Sequence, residues 1–141
     1  TSGGRGSPTF TDTIDKFPFS SDTSATDIGE LVDIVYGGSG ISSSTHGYTA
    51  GGLNPTAGQE KIQKFSFSSD VSATDVAETN ISIELAGGVS SESYGYLTRG
   101  YERPATAYVN ALQKFSTTSD ASATDVTEFS NIGGFGSGLQ T

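Results

Sequence analysis

The chain has 141 residues, enough for one domain, and is lean and turn-rich, with 33% hydrophobic residues and 19 glycines. Its 16 acids against 7 Lys and Arg give a net charge of −9, which disfavours a nucleic-acid backbone or an anionic membrane surface as a partner. No apolar run approaches the length of a membrane span, and a sequence without cysteine has neither disulfides nor thiolate metal sites.

The chain opens on Thr1-Ser-Gly-Gly, with no initiator Met and no leader-like apolar segment, and is expected to be a processed or trimmed chain that starts inside a repeat. The repeat itself is a fifteen-residue phrase that occurs at 14–28, 62–76 and 112–126, with starts 48 and 50 residues apart. Such a period signals stacked supersecondary units that bury a face together. Eight Phe and six Tyr recur at fixed positions, which favours an ordered β-rich chain over a disordered one.

Each unit begins with a short strand, clearest as Ile62-Gln-Lys-Phe-Ser-Phe67. The period of two puts Phe65 and Phe67 on one face, as it does Phe17 and Phe19. In the third unit Thr117 replaces the second Phe, so that unit is expected to pack more loosely or to lie at an edge. The Ser-Ser-Asp-x-Ser-Ala-Thr-Asp phrase that follows supplies side chains that bond nearby amides and form turns. Small Ala25, Ala73 and Ala123 allow close approach, and a second strand begins at Ile28, Val76 or Val126. Leu31–Tyr36 and Ile81–Leu85 read as a third strand, each ending near a glycine pair that permits positive φ. Thr45–Gly52 and Tyr94–Gly100 read as a fourth. Residues 1–13 have the spacing of 49–61, so the units are 14–61, 62–111, and 112–141 completed by 1–13 in a single domain. The N-terminal segment is expected to finish the sheet that the C-terminal segment begins, which would hide an exposed sheet edge.

Units of about 50 residues with four strands and a glycine-doublet strand resemble kelch-type β-propeller blades. The matching pieces are His46-Gly-Tyr-Thr-Ala-Gly-Gly52 and Ile62-Gln-Lys-Phe-Ser-Phe67. The wording of the whole repeat is similar to kelch-like repeats in uncharacterised structural proteins of marine tailed phages. The chain departs from kelch in having no Trp and no regular Arg after the doublet, and Arg99-Gly100 replaces the doublet in the second unit. The resemblance implies an all-β, kelch-like propeller of four-stranded antiparallel blades, three per chain. Closed propellers have roughly four to eight blades, so a homodimer would give a six-bladed ring. The alternative is a single-chain three-fold β-trefoil or β-prism.

The pairs Asp22/Asp27, Asp70/Asp75 and Asp120/Asp125 sit in turns with enough oxygen to supply several calcium ligands, but the sharpening glycine and a third recurring acid are missing. They are expected to be turn caps. Lys16, Lys64 and Lys114 recur at one position and are expected to be structural or solvated, each within reach of an Asp. His46, the sole histidine, fits a turn better than catalysis. The residues that break the repeat are Tyr94, Tyr96, Arg99, Tyr101, Arg103 and Tyr108, types that combine rigid area with hydrogen-bonding tips at recognition surfaces. They are the candidate ligand-binding residues. An enzyme would need catalytic residues that break the repeat, and none stands out. The expectation is therefore a non-enzymatic virion-associated or extracellular protein, without cofactor or metal, that displays loops to surface glycans or other virion proteins. The alternative is a purely structural scaffold or decoration protein with no ligand.

Overall fold

The computed structural model describes residues 1–6 and 9–134, and every regular element among them is a β-strand. In chain order these are β1 (Ser2–Arg5), β2 (Phe10–Lys16), β3 (Thr26–Glu30), β4 (Ser39–Ser42), β5 (His46–Ala50), β6 (Lys61–Ser66), β7 (Thr74–Glu78), β8 (Ile83–Glu84), β9 (Gly87–Ser90), β10 (Tyr94–Glu102), β11 (Ala107–Ser116) and β12 (Thr124–Glu128). They form three antiparallel sheets, ordered β1-β2-β3, β4-β5-β6-β7 and β12-β11-β10-β8, with β9 also paired to β10.

The Lys-Phe segments are β2, β6 and β11, and the Thr-Asp segments are β3, β7 and β12, so each phrase forms a hairpin. The register is the same in all three: a bulge follows Ile14↔Gly29, Ile62↔Ala77 and Leu112↔Thr127. A bulge at one fixed place gives each hairpin the same extra twist. Serine side chains start two of the turns. Ser66 Oγ accepts from the Ser68 amide at 3.1 Å, and Ser116 Oγ from the Thr118 amide at 3.2 Å.

The third strand is displaced from the sequence reading. Leu31–Tyr36 is irregular apart from an isolated bridge at Tyr36, and only Ile83–Glu84 of Ile81–Leu85 is a strand. The paired strands are β4 and β9, which begin after Gly37-Gly38 and at Gly87-Gly88. The cause is a competing set of hydrogen bonds. Gln63 Oε1 accepts from the Val32 and Asp33 amides at 2.6 and 3.2 Å, and Gln113 Oε1 accepts from the Asn80 amide at 2.6 Å. A left-handed residue, Gly37 or Leu85, then turns the chain into the strand.

Consecutive sheets meet through one contact, made twice. The Ala73 amide donates to the Glu30 carbonyl at 2.8 Å, as the Ala123 amide does to the Glu78 carbonyl at 2.7 Å. Ser72 Oγ accepts from the Glu30 amide, and Ser122 Oγ from the Glu78 amide, both at 3.1 Å. Lys16 pairs with Asp70 at 3.1 Å and Lys64 with Asp120 at 2.9 Å. A further bond recurs three times: the amides of Gly4, Gly52 and Gly100 donate to the carbonyls of Val35, Ile83 and Gly133 at 2.9, 2.7 and 2.9 Å. The three Lys-Phe units thus dock by the same residues, and the recurring aspartates at 70 and 120 bind the lysine of the preceding unit instead of capping their own turns. Asp27 does cap, accepting from the Gly29 amide at 3.1 Å.

The larger core lies between the second and third sheets and includes Ile41, Tyr48, Ile62, Ile83, Leu97 and Phe115. A smaller one, Ile14, Leu31, Val35 and Ala73, joins the first and second. Phe115 is only 2% exposed, so the third unit is not loosely packed at its aromatic position. The glycine across the ladder explains this. Gly95 pairs with Phe115, and a Cβ there would sit 2.5 Å from the ring. Tyr48 closes the other side at a ring distance of 5.5 Å and donates its hydroxyl to the Thr117 carbonyl at 3.0 Å. Burying a side chain of this size contributes about 1.5–3 kcal/mol. Burial also pushes the Tyr48 hydroxyl above its ordinary pKa, with the Lys64 ammonium opposing.

The described part of residues 1–13 lies in the first sheet, where β1 pairs with β2 across a short connection. The sheets are therefore out of phase with the sequence units: the unit that starts at Ile14 begins inside β2. The rest of the expected third unit, 135–141, lies outside the described residues.

Candidate functional site

The candidate residues divide between the two ends of β10, seven residues apart from Tyr94 to Tyr101, a span of roughly 20 Å in an extended strand. At one end Tyr94 and Tyr96 lie with ring centroids 6.5 Å apart. The Lys114 ammonium is 4.5 Å from the Tyr94 ring centroid, a cation–π geometry. Lys114 faces Tyr96 across the ladder, as Lys64 faces Tyr48 in the second sheet. Lys64 additionally holds Asp120, and that hydrogen bond raises its pKa above the ordinary lysine value.

Tyr101, Arg103 and Tyr108 come together at the other end. Tyr101 pairs with Tyr108 across the β10–β11 hairpin, and their rings meet edge to face at 5.1 Å. The Arg103 guanidinium carbon sits 5.5 Å from the Tyr101 ring centroid. Its Nε donates to Glu84 Oε1 at 2.6 Å, and Glu84 is only 4% exposed. A carboxylate that has lost its water needs a donor, so Glu84 holds Arg103 in place, and among the described residues the half-exposed guanidinium has no second carboxylate partner. Sequence reasoning missed Glu84, because it sits in a segment that reads as an ordinary alternating strand. A left-handed Thr106 turns the hairpin, and the Thr106 amide bonds the Arg103 carbonyl at 3.1 Å.

Arg99 belongs to neither end. It occupies the bulge between Thr98 and Gly100 with φ +52°, the repeat position held by Gly3 at +62° and Gly51 at +63°. Its guanidinium carbon lies 4.6 Å from the Phe129 ring centroid. The replaced glycine doublet therefore keeps the glycine backbone, and Arg99 closes the sheet toward β12. His46 Nδ1 is 2.8 Å from the Thr45 hydroxyl, at the start of β5. Lys61 is held by Asp33, and this hydrogen bond raises its pKa.

Two cavities lie beside the second sheet. One, of about 450 Å³, lies where β4 runs against β9 and has a mixed lining, with Gly40, Ser42, Gly88 and Ser90 beside Ile41, Tyr48 and Phe65. The other, of about 430 Å³, is apolar and lined by Ile14, Phe17, Phe19, Ile28, Phe65 and Phe67. Compared with known proteins, the sequence matches no protein-family model and shows no significant similarity to a curated protein.

Proposed function

We propose that this chain is a non-enzymatic display protein, a kelch-like β-propeller whose six sheets come from two copies and whose β10–β11 hairpin binds a surface glycan. The observation that carries the reading is the Tyr101–Tyr108 edge-to-face pair with Arg103 braced by the buried Glu84. Such a cluster offers a ring face for the apolar side of a sugar and N–H donors for its hydroxyls, on groups that lose little freedom on binding. Tyr108 is 43% exposed, so a ligand reaches it without opening the fold.

The non-enzymatic part rests on the chemistry lining the cavity between β4 and β9, which combines glycine, serine and threonine with Ile41, Phe65, Phe67 and Val89, and where Tyr48 is engaged with Thr117. The propeller part rests on three antiparallel sheets joined by repeated contacts. The virion or extracellular setting rests on the resemblance of the repeat wording to phage structural proteins.

A glycan array tests the reading. The wild-type chain is expected to bind a reproducible subset of glycans. Tyr108→Ala is expected to weaken that binding at least tenfold while circular dichroism shows the chain still folded, and Tyr94→Ala leaves binding intact. Silence across the array, or loss of binding only with Tyr94→Ala, overturns the assignment; silence favours a ligand-free scaffold.

A further inference from the structure

The contact between consecutive sheets has a donor half on the later sheet and an acceptor half on the earlier one, and the chain presents one further half of each kind. On the first sheet, Asp22, Ser24 and Ala25 stand where Asp70, Ser72 and Ala73 stand on the second. All three are exposed, and among the described residues none meets a partner from another sheet. On the third sheet, Lys114 and Glu128 stand where Lys64 and Glu78 stand on the second. Among the described residues Lys114 has no carboxylate partner, and the Glu128 carbonyl accepts nothing from outside its own sheet.

Apolar groups repeat the pattern. Tyr48 of the second sheet covers Phe115 of the third. Tyr96 is the Tyr48 equivalent on the third sheet, and Phe17 is the Phe115 equivalent on the first. Phe17 is 45% exposed and Phe19 98% exposed, on the wall of the apolar cavity of about 430 Å³. An exposed Phe pair is a cost to a monomer and an anchor in an interface.

We propose that the third sheet of one molecule docks on the first sheet of a second copy through the contact that joins consecutive sheets within the chain. Lys114 pairs with Asp22 of the second copy. The Glu128 carbonyl accepts the Ala25 amide, Ser24 Oγ accepts the Glu128 amide, and Tyr96 covers Phe17. The occupant is a second copy because both halves are on this chain, with matching charge and continuous with an interface it already makes twice. The contact is heterologous, and two such contacts close a ring of two molecules. The proposed two-copy propeller supplies only the number of copies; the contact follows from the repeat. The proposed contact uses none of Tyr101, Arg103 and Tyr108, so glycan binding and assembly can fail independently.

Light scattering on the intact chain, with Lys114→Glu, Asp22→Lys and the double exchange, tests this. Asp22 is exposed and Lys114 is partly buried on a strand face, so circular dichroism is used to show that all four proteins are folded. The wild type is expected at twice 14.5 kDa. Each single reversal sets like charges together and is expected to weaken the dimer at least tenfold. The double exchange restores it. A 14.5 kDa particle at all concentrations, a mass above two copies, or a dimer indifferent to both single reversals overturns the proposal.

Discussion

Phe115→Ala is expected to cost about 3–5 kcal/mol, the range for truncating a buried aromatic, and so to lower the melting temperature by roughly 10–20 °C. The ring fills a slot with three fixed walls. Gly95 lies opposite on β10, Ile41 reaches in from β4, and Tyr48 is locked by its bond to the Thr117 carbonyl. Gly95 and Ile41 sit on paired strands and Tyr48 is tied by its hydroxyl, so the surroundings collapse little and most of the cavity stays open. The Phe67→Ala variant, at a ring 46% exposed on the second sheet, is expected to cost about 1 kcal/mol or less. Thermal melts of the two variants decide the matter: equal losses would mean that Phe115 is not seated in the core.

Gly51→Ala is expected to cost about 2–4 kcal/mol. A left-handed backbone at φ +63° penalises any side chain by about 1 kcal/mol. The added methyl would also press on the Ile83 carbonyl, the acceptor of the Gly52 amide, and forced overpacking costs about 1–3 kcal/mol. Arg99→Gly at the equivalent position should be nearly neutral. It removes the left-handed penalty but loses the guanidinium over Phe129, an interaction of about 0.5–1 kcal/mol. Urea unfolding measures both. A neutral Gly51→Ala, or a large loss with Arg99→Gly, would show that the three positions do not share one backbone role.

Local chemistry was legible in the sequence, and pairings over long separations were not. The Lys-Phe and Thr-Asp strands follow from alternation and turn residues, and they are present at all three places. Leu31–Tyr36 was apolar enough to read as a strand, but its amides are taken by Gln63 from 30 residues away, which no periodicity shows. The strands that do pair, Ser39–Ser42 and Gly87–Ser90, are rich in Gly and Ser and carry no hydrophobic alternation. The aspartates at 70 and 120 had the composition of turn caps; their lysine partners are 54 and 56 residues earlier. Burial of Phe115 depends on Gly95 across the ladder, a register fact. The Tyr and Arg run looked like one site because its members are near in sequence. An extended strand divides them: Tyr94 and Tyr96 lie at one end, and Tyr101, Arg103 and Tyr108 meet at the other, around a Glu84 brought in from β8.

Residue-resolved amide hydrogen exchange on the native protein tests most directly whether one inter-sheet contact is reused along the chain and between copies. The Ala73 and Ala123 amides, bonded to Glu30 and Glu78, are expected to exchange slowly and at rates within about tenfold of each other, and Ala25 to join them in the assembled particle. Open-chain exchange at Ala73 or Ala123 would contradict the repeated contact itself, and open-chain exchange at Ala25 alone would contradict its extension to a second molecule.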